Sequence, residues 1–460
     1  MERLAAGPAV AGPGPNRARA AFAASDKRLA LAGFECQLYA EGVTDGESCE
    51  TWCMDTADSP GFDAESRELA VARWLIGAGG RAVVDALPRY RREEALALAA
   101  RLRAEGLDAD RTAAALTLSR LRTRATAKFG ERAGSMFFTA AGYEQATRLS
   151  VGALHAERFL AAGARRIVDF GCGVGADSLA FCLAGLDVTA IEVDPVAALY
   201  AAANAPRAAV VCADGLATRL PEADGIWLDP SRRTGDGRRI ASPEGWAPPL
   251  SRALSIAGGF PVAGIKAAPG IAHDALPAGA LVEWVSEAGQ LLEAVVWLGV
   301  GAGRAAVVDG EAFDSGASAA DEPVSFVKPR EIGPILLEPD PAVIRSGGIA
   351  RLCERYGVAP VSGGVAYLSG EATPPHCSAF EVLDVLIPEV KRIKRALAAR
   401  GIGRVEVKKR GTEVDVAAMA KKLSRRGGDP GVVVFSPVLG RGRAIVARRV
   451  DAPNGPPRRA

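Results

Sequence analysis

The sequence predicts an α/β protein, with an open, mostly parallel sheet preceded by a helical region and followed by a smaller α/β unit. Three observations predict it. Between residues 166 and about 300, short β-rich runs alternate with helix-length segments, the pattern of a parallel sheet covered by helices. The first run opens into a glycine turn, "VDFGCGVGAD". A second alternation, from about 324 to 450, follows a Gly/Ser/Ala-rich stretch at 310–323 that reads as a loop or linker.

Residues 1–60 are Ala/Gly/Pro-rich without periodicity. They read as disordered, or as the product of a start codon placed too far upstream, because Met54 stands just ahead of a well-formed helix start. Cys49 and Cys53 lie four apart, but no neighbouring His or further Cys pair completes a zinc set. No metal is expected.

Residues 61–150 read as a helical domain. "SRELAVARWLIGAG" and "REEALALAARLRAEG" carry apolar residues at three- and four-residue spacing and end in Gly. "DADRTAAALTLSRLRTRATAKFG" reads as a third helix capped by Asp110, with Arg120, Arg122, Arg124 and Lys128 on a solvated surface. A loop around Phe137 and Phe138 leads to a helix over 143–162.

Residues 151–323 should hold seven strands: "RIVDF", "LDVTAIEV", "AAVVCAD", "GIWLD", "PVAGIKA", "LVEWVS" and "LLEAVVWLGV", the last two forming an antiparallel hairpin. In the region 324–450, a helix stopped by Gly401 precedes the strand "RVEVKKRG", a second helix and two more strands, and 451–460 is a frayed tail.

A chain of 460 residues exceeds one ordinary core. Its net charge of +2 says nothing about partners. The eight cysteines are scattered, several in apolar runs, as in reduced cytoplasmic proteins rather than disulfide frameworks. No stretch is long and apolar enough for a bilayer, and no basic segment leads into an apolar one at the N-terminus. A soluble cytoplasmic protein is expected.

The candidate site begins at Gly171, Gly173 and Gly175, which let the backbone turn sharply and approach a ligand, ahead of a helix N-terminus with unpaired N–H groups. Such a turn fits a dinucleotide, a nucleoside or a tight turn alone. Glu192 ends the second strand, about twenty residues on, where a carboxylate accepts the two hydroxyls of a ribose. Asp194 is the better helix cap. Asp214 ends the third strand, placed to meet an adenine amine, with a solvated loop acid as the alternative. Asp229 ends the fourth, followed at once by Pro230, Ser231, Arg232 and Arg233. Lys266 ends the fifth and should face the cleft, toward phosphate, an acidic substrate or a salt bridge. His273 reads as structural or solvated.

The ordered set "VDFGCGVGAD…AIEVDP…CADG…WLDPSRR" resembles the class I S-adenosylmethionine-dependent methyltransferases over roughly 165–300. A nicotinamide-binding sheet would more often show G-x-G-x-x-G, and position 176 is Ala. The resemblance implies a seven-stranded, Rossmann-like methyltransferase sheet. It implies S-adenosyl-L-methionine as cofactor, bound by Asp169, the three glycines, Glu192, Asp214 and Asp229.

In family members that methylate exocyclic amines, this fourth strand end carries Asp/Asn-Pro-Pro-aromatic, whose acid and following carbonyl accept the target amine. "Asp229-Pro230-Ser231-Arg232" looks like a variant. Ser231 replaces the second proline and Arg232 the aromatic, and a guanidinium also stacks on a base and contacts phosphate. The alternative is that Asp229 touches only the cofactor and the arginines bind a structural carboxylate.

The flanking "RATAKFGERAGSMFFTAAGYEQATR" and "VEVKKRGTEVD" make the chain similar to bacterial methyltransferases ending in a THUMP-like domain, here about 385–450, and THUMP domains belong to RNA-modifying enzymes. Charge points the same way. Between 388 and 426 there are thirteen Lys and Arg, among them Lys408, Lys409 and Arg410, against four acids. That is the footprint of a polyanion partner, or a solvated surface in an Arg-rich chain.

The expected function is methylation of a base amine in structured RNA. A protein or small-molecule methyltransferase is the second reading, and a non-catalytic RNA binder with a vestigial cofactor pocket the third.

Overall fold

A computed structural model describes residues 66–234, 237–316 and 327–450, with the backbone of Leu29–Leu31 (β1) and Phe34–Cys36 (β2), which pair antiparallel. That pair is an exception within the stretch read as disordered. The other readings of residues 1–60, and that of the tail, lie outside the described residues.

Among the described residues, six α-helices precede the main sheet: α1 (Arg67–Ile76), α2 (Ala78–Asp85), α3 (Ala95–Ala104), α4 (Ala109–Phe129), α5 (Ala140–Gln145) and α6 (Leu149–Ala161). Asp108, not Asp110, caps α4 by accepting the Arg111 N–H, and Asp110 pairs with Arg67 instead. Two of the four α4 cations read as solvated point inward. Arg122 is buried and donates to the Met136 carbonyl and to Asp85. Lys128 donates to the carbonyls of Tyr143, Glu144 and Ala146. These carbonyls mark the break that turns the expected helix over 143–162 into α5 and α6.

The main sheet and its helices then run β3 (Arg166–Phe170), α7 (Ala176–Leu183), β4 (Asp187–Glu192), α8 (Pro195–Asn204), β5 (Ala209–Cys212), β6 (Gly225–Leu228), α9 (Leu250–Ala257), β7 (Val262–Ala267), β8 (Leu281–Glu287), β9 (Gln290–Leu298), β10 (Gly303–Val308) and β11 (Glu311–Asp314). Its strand order is β11-β10-β8-β9-β7-β6-β3-β4-β5. The first five strands are mutually parallel, and β9 is antiparallel to both β7 and β8.

The sheet therefore has nine strands rather than seven. β10 adds parallel to β8, and β11 turns back through Asp309 and Gly310, both at positive φ. Asp-Gly between two β-rich runs is a hairpin signal, and it lies at the start of the stretch read as a loop.

Side chains alternate across the pleat. On one face Ile167, Val188 and Trp227 pack with Phe159 of α6 and Phe181 of α7. On the other, Val168, Ile226 and Ile265 join a core that reaches Val343, Ile349 and Leu352 beyond the sheet. The last two of these belong to one helix of the C-terminal region and Val343 to a second, shorter one, so that region shares a core with the main sheet.

The region comprises β12 (Ile335–Pro339), α10 (Pro341–Arg345), α11 (Ile349–Tyr356), β13 (Ala359–Pro360), β14 (Leu368–Gly370), β15 (Cys377–Leu386), α12 (Val390–Ala399), β16 (Ile402–Lys409), α13 (Val416–Leu423), β17 (Asp429–Val438) and β18 (Arg441–Val450). Its seven-stranded sheet has the order β13-β14-β12-β15-β18-β17-β16. Ile393 and Leu397 of α12 and Leu423 of α13 cover one face, with Val405, Val433 and Phe435 beneath them. No helix among the described residues is long and apolar enough to cross a membrane.

Candidate active site

The turn after β3 is built by its glycines. Gly171, Gly173 and Gly175 have φ of 77°, 57° and 77°, a region that residues with a Cβ enter at a cost. Gly175 begins α7, and a Cβ on it would meet Ala201 Cα of α8 at 2.9 Å. Glu192, at the end of β4, accepts the Gly173 N–H at 2.7 Å and the Asp194 N–H at 2.9 Å. Asp194 caps α8 as its sequence suggests.

Asp169 is buried under this turn. Ser178 donates to its Oδ2, while Oδ1 has no partner. Burial, with the Asp177 carboxylate nearby, pushes Asp169 up to about 8. Asp214 is exposed and accepts the Leu216 N–H at 2.9 Å. Two apolar side chains beside these acids stand in solvent: Val193, 65% exposed, and Leu216, 46%.

Asp229 follows β6 directly. Its Oδ2 accepts the Lys266 ammonium at 2.8 Å, and its side chain is 26% exposed. Lys266 thus takes the salt-bridge alternative. It is buried rather than open to the cleft, with a second bond of 2.9 Å to Thr147 Oγ1. Pro230 is buried. Ser231 exchanges backbone hydrogen bonds with Ala247 at 2.8 and 3.0 Å, which anchors the loop after Asp229. Arg232 is half-buried, and its guanidinium has no protein partner among the described residues. Arg233 is held by the Gly237 carbonyl at 3.0 Å and lies 3.8 Å from Glu144.

Behind Lys266 a buried polar chain continues. Thr147 donates to Asp177 Oδ2 at 2.6 Å. Asp177 Oδ1 meets His155 Nδ1 at 3.0 Å, and His155 Nε2 meets Glu293 at 2.6 Å. His155 also stacks on Trp227. Burial alone would lower the imidazole pKa, but Glu293 and Asp177 outweigh it and raise it to about 9. Burial likewise opposes the charge on Lys266, and the carboxylates of Asp229, Asp177 and Glu293 carry its pKa above that of an ordinary lysine.

Sequence reasoning missed this chain. Its one legible signal was Glu293, a charge inside the apolar run "LLEAVVWLGV", since buried charges are rare unless paired. His273 is far simpler: its ring nitrogen Nδ1 lies 3.3 Å from Arg304 in the C-terminal half of the sheet.

The basic triplet of the C-terminal sheet divides. Lys408 donates to Glu338 at 2.7 Å, and Arg410 lies 3.6 Å from the same carboxylate and over the Tyr367 ring. Of the three, only Lys409 is exposed. Lys391, Lys394, Arg395, Lys421 and Lys422 are exposed on α12 and α13.

Glycine turn, strand-end acids and parallel order define a protein of the nucleoside-binding open-sheet class, with its ligand at the carboxyl ends of the strands. Comparison with known proteins gives the family. Residues 377–449 match the family described as THUMP domain-like, and residues 68–125 match a domain of unknown function, DUF8688. The chain is 30% identical over 335 residues to an uncharacterized S-adenosylmethionine-dependent methyltransferase of Mycobacterium tuberculosis, spanning 69% of this chain and 90% of the relative. The same match is found in a second strain. A crystal structure of a putative methyltransferase from Porphyromonas gingivalis superposes with a TM-score of 0.64 at 15% identity, over 84% of this chain and 99% of that one. The chain belongs to the S-adenosylmethionine-dependent methyltransferases, and its cofactor is S-adenosyl-L-methionine.

The residues present suit that cofactor. The cation-free carboxylate oxygen of Asp169 lies buried at the turn, the glycine backbone is open where a Cβ would intrude, and Val193 and Leu216 offer exposed apolar surface for a flat base. Among the described residues no group of three His, Cys, Asp or Glu could hold a metal ion.

Proposed function

We propose that this methyltransferase acts on an exocyclic base amine in structured RNA. The observation that carries the reading is Asp229: a partly exposed carboxylate at the carboxyl end of β6, one oxygen held by Lys266 and the other without a protein partner among the described residues, followed by Pro230. An amine donates its N–H groups to such an acceptor and is thereby oriented, and transfer depends chiefly on that orientation. Arg232 supplies a planar cation where the resembling enzymes carry an aromatic ring.

Asp169, Gly171, Gly173, Gly175, Glu192 and Asp214 would hold the cofactor, with Val193 and Leu216 against its base. When bound, it supplies an electrophilic methyl whose sulfur keeps the bonding pair as the group departs, while the acceptor nitrogen sheds its proton. The chain's part is to bind, orient and exclude water.

The THUMP-like match at 377–449 and the exposed cations of α12 and α13 support an RNA partner. The engagement of Lys408 and Arg410 with Glu338 favours the second reading, a protein or small molecule, because it removes two cations from a docking surface.

The test is transfer of tritiated methyl to total RNA and, in parallel, to total protein, each from a strain lacking this gene. Label in RNA that vanishes with Asp229→Ala, in a variant that still folds and binds cofactor, is expected. Label confined to protein would replace the RNA reading. Full activity of Asp229→Ala would remove the role given to that residue.

A further inference from the structure

Lys266 and Thr147 are 119 residues apart in sequence and are hydrogen-bonded beside the Asp229 carboxylate. Lys266 closes β7, and Thr147 stands in the break between α5 and α6. The ammonium spans Asp229 Oδ2 and Thr147 Oγ1 at 2.8 and 2.9 Å and is almost wholly excluded from water. Behind it, Thr147, Asp177, His155 and Glu293 are all buried and each bonded to the next. In front, Asp229 is the one member that reaches solvent appreciably, at 26%. Such a row has one open end, and that end is where the acceptor is proposed to bind.

We propose that Lys266 is a positioning residue for methyl transfer. With Thr147 as its second anchor, it pins one oxygen of Asp229 and leaves the other as the single acceptor offered to the substrate. The proposal rests on the role given above to Asp229. It explains why a cation sits unexposed at a strand end where a docking residue would need to be accessible. It also ties the N-terminal helices to the site: Lys128 of α4 holds the carbonyls of Tyr143, Glu144 and Ala146, and Thr147 is the next residue. A functional carboxylate held this way keeps one rotamer through binding and turnover, which is what a supporting shell contributes.

The test uses the full chain and whichever fraction, RNA or protein, accepts label from the wild type. Lys266→Met, Asp229→Asn and the double variant form a cycle. If Lys266 acts through Asp229, Lys266→Met lowers kcat by about 100-fold, the scale of a small misplacement. The KM for cofactor and the Kd for S-adenosylhomocysteine should stay within about threefold, because uniform binding is untouched. The double variant should then be no slower than Asp229→Asn alone.

Should Lys266→Met fail to fold, Thr147 keeps the question open to measurement. Thr147→Val should lower kcat by roughly tenfold and Thr147→Ser should restore it, since only the latter keeps the hydroxyl. Unchanged kcat in Lys266→Met or Thr147→Val, or losses that multiply in the double variant, would overturn the proposal while leaving the assignment of Asp229 standing. Label in protein alone would refute the RNA reading and leave the cycle interpretable. No label in either fraction would overturn both.

Discussion

Glu192 accepts the backbone N–H of Gly173 at 2.7 Å, so the acid at the end of β4 and the glycine turn at the end of β3 are already joined before any ligand arrives. Its other oxygen holds the Asp194 N–H. The carboxylate is thus fixed at the place where ribose hydroxyls are expected to bind. Glu192→Ala should remove both the ribose acceptor and a brace of the turn. The Kd for S-adenosylhomocysteine, read by calorimetry, should rise by about 10- to 100-fold, in line with loss of one or two charge-assisted hydrogen bonds. An unchanged Kd would exclude Glu192 from the cofactor site.

Gly175 is constrained twice, by its φ of 77° and by Ala201 Cα at 2.9 Å from where a Cβ would lie. Gly175→Ala should destabilise the fold by roughly 1–3 kcal/mol from backbone strain, with the steric push on α8 adding to it. Gly173→Ala meets no neighbour within 4 Å and should cost less. Urea unfolding of the two variants side by side checks the order.

His155 predicts a pH dependence. Its folded pKa is raised to about 9 by Glu293 and Asp177 in spite of burial, above the ordinary value near 6.5. The stability it contributes is therefore complete below about pH 6.5 and declines as pH rises through about 9. His155→Gln should lose that alkaline decline and be less stable at pH 6, because two buried carboxylates then lack their cation. Denaturant midpoints between pH 6 and 9.5 measure it, with Trp227, stacked on the imidazole, as a fluorescent reporter. A wild-type curve no steeper than that of the variant would contradict the assignment.

Cations of the C-terminal sheet should separate into two groups. Lys391, Lys394, Lys421 and Lys422 are exposed. Their joint replacement by Gln should weaken RNA binding and flatten its salt dependence, by about 0.7 in log–log slope for each lost contact to single-stranded RNA, with the melting temperature unchanged. Lys408→Gln should do the reverse, destabilising the sheet by removing the nearer of the two cations that face Glu338 and altering RNA affinity little. Filter binding across a salt series and thermal unfolding together distinguish them.

The parallel strands were legible because each is a short β-rich run ending in a turn or an acid. The positions of the candidate acids and glycines were legible for the same reason, since each stands at or just after a strand end. What escaped was set by pairing across long sequence distances. β11 is only four residues long, in a polar context. Arg122 and Lys128 look like surface cations in a helix pattern, yet they serve Asp85 and a broken helix end 15 to 18 residues on. Lys266 looked accessible for the same reason: a strand end points to the cleft, but nothing local tells that Thr147, 119 residues earlier, closes over it.

Val343, Ile349 and Leu352 pack into the same core as Val168 and Ile226 of the main sheet, so the C-terminal sheet is not a module on a tether. Domains joined through a small polar contact swing against each other, and a shared apolar core suppresses that. An RNA gripped by α12 and α13, as proposed, would be presented to Asp229 at one offset. The enzyme would then choose its target as a ruler does, by the span between grip and reaction, and a lengthened or shortened RNA stem would move the methylated position rather than merely weaken binding.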